Sequence, residues 1–434
     1  MKDLATEESK DLIIILIMSR FREVLRNRNF FLLWVGQIIS QLGDRLDQMA
    51  LIAFVYSRAQ GSTLGIAKIL SFTIIPVFLI GPLAGVYVDK WDRRRTMYLC
   101  DFLRAALVFT IPFFLFSLKS LIPIYVIIFL VFSIGRFFVT AKLAIVPDLV
   151  PKKDLLMANS LVNTTGMIAA ILGFGVSGII VEWLGAKSGF YLDAFSFVVS
   201  ALFIFFIITK ARVAMNLRQV SKEIAEVIRK SVLQEIKEGI LYFARHKEIR
   251  FTAGVIFLLW SALGAVYVVL IVFVQKILHS ATKDLGFLIM FLGIGMLAGS
   301  MLYGRFGQRL SHYKTIFASL ILSGIMLIAF ALILNRYPDF RIAAGLSLSL
   351  GFLISPIMIA SNTIVHKVSD NDMMGKIFSS LEIIMHLGFL LFMFLSSILA
   401  ERIPEVSILV AVGFILTILG IVNFIFHRKT LWLD

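Results

Sequence analysis

Apolar runs of roughly 20 residues or more, broken by short polar punctuation, fill the chain from Asn29 to His427. A helix of that length crosses the hydrocarbon of a bilayer, and the runs lack the strict alternation of a membrane strand. The pattern predicts an all-α polytopic membrane protein with about twelve transmembrane helices. They fall at 29–57, 64–88, 96–117, 121–141, 155–181 and 188–209, then at 250–278, 284–304, 315–334, 341–366, 375–399 and 405–427. The long polar stretch between the sixth and seventh separates two six-helix bundles, 29–209 and 250–427. A segment 1–28, a linker 210–249 and a tail 428–434 complete the expected organisation. Within the linker, Ile224, Val227, Ile228, Ile236 and Ile240 share one helical face. That face suits a helix lying on the inner leaflet, and a solvated linker helix is the equal alternative.

Composition agrees with the pattern. The 434 residues are 59% hydrophobic and 16% charged, with a mean hydropathy of +0.93. The one cysteine, Cys100, can form no internal disulfide, and neither a metal site nor a cofactor is expected. The formal net charge of +15 raises the question of nucleic acid, but placement answers it. About 28 of the 42 Lys and Arg lie in alternate connections beginning with the N-terminus, against about 8 in the others. That bias predicts cytoplasmic N- and C-termini, contact with anionic membrane lipids, and no nucleic-acid partner. The short apolar LIIILIM, Leu12 to Met18, lacks a cleavage site and is expected at the membrane surface. Met18 offers an alternative start, which leaves the function of the first 17 residues open.

The two halves carry matching landmarks. GPLAG at 81–85 corresponds to GMLAG at 295–299, VPKKDLL at 150–156 to VSDNDMM at 368–374, and LGD at 42–44 to LGA at 263–265. Such repeats suit a site near the midplane exposed alternately to each side. The second copy loses acids: Asp44 corresponds to Ala265, and Asp89 to Tyr303. What differs between repeats is not demanded by the fold alone.

The differing positions carry the candidate chemistry. Gln37, Gln41, Asp44 and Gln48 recur at helical spacing and make one polar stripe on the first helix, with Asp47 beside it. Ionised acids facing lipid are costly, so the stripe should face an interior cavity. Burial could let Asp44 or Asp47 exchange protons near neutrality, while Arg45 opposes this by pairing with one of them. Proton coupling, a static Arg–Asp pair and direct contact with a cationic substrate all remain open at this point. In the eleventh span Glu382 and His386 stand at i, i+4, a spacing suited to a proton relay or to a polar packing contact. Lys142 is expected to snorkel to the headgroups. Asn159 and Asn163 offer neutral hydrogen bonding, as cavity lining or interhelical contact. Forty Phe and sixteen Met suit an adaptable cavity for bulky lipophiles, although most of them must face lipid. No phosphate loop or nucleophile motif occurs, so the chain is not expected to be an enzyme.

GVYVDKWDRRR at 85–95 resembles the loop motif of the major facilitator superfamily. Gly85, Asp89, Lys90, Arg93 and Arg94 match, and Asp92 stands where Gly is usual. That departure is similar to a branch that includes macrolide-efflux and enterobactin-exporter-like proteins, as are RNFFLLWVGQIISQLGD at 28–44 and EIKEGILYFARHKEIR at 235–250. The resemblance implies the superfamily fold and a conformational latch. In it Gly85 allows close helix approach, Asp89 meets the start of helix 11 near Gly375, and Arg93 and Arg94 pair with carboxylates, Asp101 among the candidates. It also implies a coupling role for Arg136. The antiporter signature is partial: Gly173, Gly175 and Gly178 are present, but Phe174 breaks the expected Gly-Pro pair. LGD in the first helix, AK at 141–142 and MIAAILGFGVSG at 167–178 resemble lysophospholipid transporters.

The expected function is secondary active transport: proton-coupled export of an amphipathic or lipophilic small molecule by a monomer, through alternating access. The alternative is a lysophospholipid transporter or flippase, and a third reading is a membrane sensor that moves nothing.

Overall fold

A computed structural model describes residues 21–58, 62–117, 121–209, 247–280, 282–368 and 374–426. Among these residues the structure is almost entirely helical, with no strand. The helices are α1 (Arg28–Arg58), α2 (Thr63–Lys90), α3 (Arg93–Ser117), α4 (Ile122–Leu149), α5 (Leu155–Phe205), α6 (Lys247–Leu278), α7 (Lys283–Phe306), α8 (His312–Arg336), α9 (Phe340–Val368), α10 (Met374–Ala400) and α11 (Glu405–Phe426). Ten of the segments are long and apolar enough to cross a membrane. Helix α1 falls outside that set because its polar stripe and charges interrupt the apolar run.

Helix starts follow the capping residues. Asn27 Oδ1 accepts the backbone N–H of Asn29 and Phe30 at the head of α1, at 3.0 and 3.2 Å. Its amide donates to the Leu149 carbonyl at 2.7 Å, tying that end to α4. Ser62 Oγ accepts Gly65 N–H at 3.1 Å, Asp92 Oδ1 accepts Arg95 N–H at 2.8 Å, and Asp339 Oδ1 accepts Arg341 N–H at 2.7 Å. Asp92 thus starts α3, which gives a local reason for an aspartate where the family motif usually has glycine.

The fifth and sixth expected spans are the two arms of α5, and the helix breaks between them at Gly185 (φ 82°, ψ 163°), a conformation that a side chain would strain. The fourth span runs further than the pattern suggested, to Leu149 instead of 141. Arg93 holds the added turns, donating to the Ala144 carbonyl at 2.5 Å and to Asp148 Oδ2 at 2.9 Å.

Contacts gather the described residues into two compact units. Unit 1 draws on Met1–Asp47, Leu79–Gly173 and Gly189–Ile224, and unit 2 on Gln48–Phe78, Phe174–Ser188 and Ala225–Asp434. Unit 1 packs around Phe30, Leu33, Met97, Phe138, Ile145 and Ile204. Within unit 2, α7 and α9 cross at glycines: a Cβ added at Gly295 would lie 2.0 Å from the Leu348 carbonyl oxygen, and one at Gly351 2.0 Å from that of Leu292. In lipid, where burial of apolar surface gives little drive, such close approach supplies the packing. The linker 210–246, the 12–18 segment and the tail 428–434 lie outside the described residues.

Candidate functional site

The polar stripe of α1 leads into a cluster of charges in unit 1. Its centre is Arg104 on α3, buried, with its guanidinium 4.0 Å from the Phe197 ring centroid and 4.7 Å from that of Phe138. Two aromatic faces suit a planar delocalised cation better than a compact ammonium. Arg104 Nη2 donates to Asp101 Oδ1, one helical turn earlier. Ser200 Oγ, from the second arm of α5, donates to Asp101 Oδ2 at 2.6 Å. On its other side Arg104 Nη1 lies 3.6 Å from Asp44 Oδ1.

Asp44 stands at the edge of the cluster, with 38% of its side chain exposed, while Asp47 and Asp193 are 4% and 1% exposed. Asp193 interacts electrostatically with Asp47, Asp44 and Arg104. Its Oδ1 accepts from Ser196 Oγ at 3.3 Å. Asp47 Oδ1 and Asp193 Oδ2 have no hydrogen-bond donor among the described residues. Gly43 makes this proximity possible, because a Cβ there would sit 1.9 Å from Ser196 Oγ and 2.4 Å from Asp193 Oδ1. Lys142, expected at the headgroups, is half-buried and within electrostatic reach of Asp44 and Arg104. Among the described residues, no group of three or more His, Cys, Asp or Glu is arranged to hold a metal ion.

The other expected residues distribute as follows. Gln37 is buried on α1, and Gln41 packs its amide against Gly166 of α5. Arg45 turns its stem toward Gly173, whose added Cβ would lie 2.9 Å from Arg45 Cγ. Gln48 falls in unit 2. Arg136 is half-buried on α4, and the guanidinium at the cluster centre belongs instead to Arg104, beside Gly135. Asn159 and Asn163 are exposed. Glu382 is exposed on α10, and His386 Nδ1 meets its backbone carbonyl at 2.7 Å, so that bond does not use the Glu382 carboxylate. The His386 ring lies 5.7 Å from that of Trp260.

The arginines of the expected latch have partners other than Asp101. Asp101 does not pair with Arg93 or Arg94, because Arg104 and Ser200 occupy both of its oxygens. Arg93 instead pairs with Asp148, and Arg94 donates to the Phe205 carbonyl while stacking near Tyr98 and Phe205. An added Cβ at Gly85 would meet nothing within 4 Å among the described residues, so close helix approach there is not observed. Lys90 is half-buried at the end of α2. The side chain of Asp89, and with it the expected contact near Gly375, lies outside the described residues.

Comparison with known proteins adds a second line. The profile described as "Major Facilitator Superfamily" matches residues 33–391 and 251–432. The chain is 25% identical over 370 residues to an MFS-type transporter, YkuC, of Bacillus subtilis, covering 82% of this chain and 81% of that one. It is 22% identical over 381 residues to Macrolide efflux protein A of Streptococcus pyogenes, covering 86% of this chain and 90% of the relative. Two solved structures share the fold at 14% identity. A POT family transporter in complex with 5-aminolevulinic acid has a TM-score of 0.70, covering 93% of this chain and 96% of that one. A bacterial homologue of the iron transporter ferroportin in an inward-facing state has a TM-score of 0.68, covering 92% and 99%.

Proposed function

The chain belongs to the Major Facilitator Superfamily, a multi-pass membrane transporter family, and from that premise we propose that it exports an amphipathic or lipophilic small molecule by proton-coupled alternating access. The supporting observation is the buried guanidinium of Arg104 among Asp44, Asp101 and Asp193, with Asp47 coupled to Asp44 and Asp193. Arg104 keeps its charge at any working pH, and Asp101 with Ser200 fixes one side of it. The opposite side faces Asp44, the most accessible of the four acids. A proton held by one of these clustered acids lowers the negative charge gathered beside Arg104, and its departure restores that charge. Moving one proton among these acids therefore redistributes charge around a fixed cation, the kind of local change that biases two global states. Similarity to Macrolide efflux protein A over most of both chains supports export of a bulky drug.

One observation favours the lysophospholipid reading. Asp44 and Lys142, which carry the GD and AK fragments of that resemblance, meet in the same cluster. One experiment tests both. Purified protein in liposomes is given a pH gradient, and accumulation of erythromycin and of a fluorescent lysophospholipid is followed. Gradient-driven erythromycin uptake that is lost in Asp47→Asn and Asp193→Asn supports the proposal. Uptake of lysophospholipid alone, or drug uptake indifferent to the gradient or to both substitutions, overturns it.

A further inference from the structure

Two glutamates outside the charge cluster make the same unusual contact. Glu401, just past α10, receives the head of α2: its Oε1 accepts from Ser62 Oγ at 2.8 Å, Leu64 N–H at 3.2 Å and Thr63 Oγ1 at 3.3 Å. Glu182, in the first arm of α5, receives the head of α7: its Oε2 accepts from Thr282 N–H at 2.7 Å, Thr282 Oγ1 at 3.1 Å and Lys283 N–H at 3.2 Å. In both places the threonine hydroxyl also lies within bonding distance of the carbonyl one helical turn before the glutamate. Thr63 reaches Ser397 at 2.9 Å and Thr282 reaches Gly178 at 3.0 Å. Both threonines are buried, 2% and 0% exposed. The sequence interval from Thr63 to Thr282 equals that from Glu182 to Glu401, so the two contacts are copies related by the internal repeat.

Their connectivity is reciprocal. Glu182 and Thr63 come from the first half of the sequence, while Glu401 and Thr282 come from the second, and each glutamate grips a helix of the other half. A helix N-terminus leaves N–H groups unsatisfied and carries partial positive charge, so a carboxylate placed there is stabilising. Helix α2 does not need a glutamate borrowed from so far along the chain merely to form. Ser62 already caps α2 through Gly65 N–H. All four residues lie in unit 2, and the distribution of basic residues places these ends on the outer face.

We propose that Glu182 and Glu401 form a repeat-related pair of carboxylate latches that hold the outer face of the protein shut and release the heads of α7 and α2 when that face opens. The proposal rests on alternating access but not on any particular substrate or on proton coupling. Its test therefore needs no transported molecule.

Ala67, fully buried one turn inside the head of α2, is the reporter, and Ala141, fully buried in unit 1, is the control. Each is changed to cysteine in a Cys100→Ser background, and the full chain in lipid nanodiscs is reacted with a bulky maleimide. Removing both latches with Glu182→Ala and Glu401→Ala should raise the labelling rate at Ala67→Cys by about tenfold, the scale of one lost charge-assisted hydrogen bond. The Ala141→Cys rate should stay unchanged. Glu182→Gln with Glu401→Gln, which keeps a carbonyl acceptor at each site, should give a smaller rise. An unchanged rate at Ala67→Cys overturns the proposal, and so does an equal rise at Ala141→Cys, which would indicate general loosening. Loss of erythromycin transport with the labelling response intact would count against the proposed substrate and leave the latches standing.

Discussion

Arg104 is buried, pairs with Asp101 and lies beside Asp44, so its removal should show in stability before it shows in transport. Arg104→Gln leaves Asp101 without its cation and Asp44 without its neighbour. Breaking one side of such a pair costs about 3–5 kcal/mol, whereas removing both partners is far milder. Thermal unfolding of the purified protein should therefore show a large loss for Arg104→Gln and substantial recovery in the double variant with Asp101→Asn. Gly43→Ala tests the neighbouring contact: its methyl would enter the space of Ser196 Oγ and cost about 1–3 kcal/mol, with partial rescue by Ser196→Gly. A destabilisation that Ser196→Gly leaves untouched would remove the assigned role of this close approach. Asp44 and Asp47 were legible in the sequence because charge interrupts an apolar run. Asp193, Ser196 and Ser200 follow i, i+3, i+7 and mark one helical face just as clearly, but a lone acid among Phe and Ser residues attracts less notice. Asp101 had been expected in the latch because Arg93 and Arg94 stand nearby in sequence. Its true partner, Arg104, lies one turn away on the same helix.

At the scale of elements, the helices that Asn27, Ser62, Asp92 and Asp339 cap begin within three residues of the expected spans. A limit that depended on tertiary contact was not legible in the sequence: the last turns of α4 contain charges and Pro147, yet Arg93 holds them in place. Asp92 illustrates how local chemistry can explain a departure from a family pattern. Asp92→Ala should lose about 1 kcal/mol through the missing cap on α3, and Asp92→Gly only a few tenths. Melting temperatures of the two variants would rank them in that order; equal losses would mean that the Arg95 N–H bond contributes nothing. The helix pair Glu382 and His386 shows the opposite limit. Spacing alone puts two groups on one face, but it does not decide whether the carboxylate or the backbone carbonyl is the partner.

Across the whole molecule, the internal repeat leaves two different marks. Deep in the helices the copies diverge: Asp44 belongs to the charge cluster, while its counterpart Ala265 is buried among apolar residues. At the helix ends they agree, since Thr63 and Thr282 meet Glu401 and Glu182 in the same way. The first mark was visible as a lost acid, whereas the second needed folded coordinates to bring distant residues together. Agreement at the ends also gives the proposed Glu401 latch a pH dependence. Ser62's hydroxyl, assisted by Leu64 N–H, Thr63 and the Lys276 ammonium, holds the Glu401 carboxyl below its usual range despite the opposing effect of partial burial. A carboxyl depressed in the closed state favours closure fully above the ordinary carboxylate value, and that contribution is lost as pH falls through the depressed value. Lys276 is itself 2.5 Å from Glu405, so Glu405 shares the local charge. Spin labels at Arg58→Cys and Arg402→Cys, in a Cys100→Ser background, should report one distance from neutral pH down to about 5, with a longer population growing below that range. Glu401→Gln should abolish this acid-dependent step without abolishing the longer population itself. A step that persists in Glu401→Gln would overturn the assignment of the acid response to Glu401.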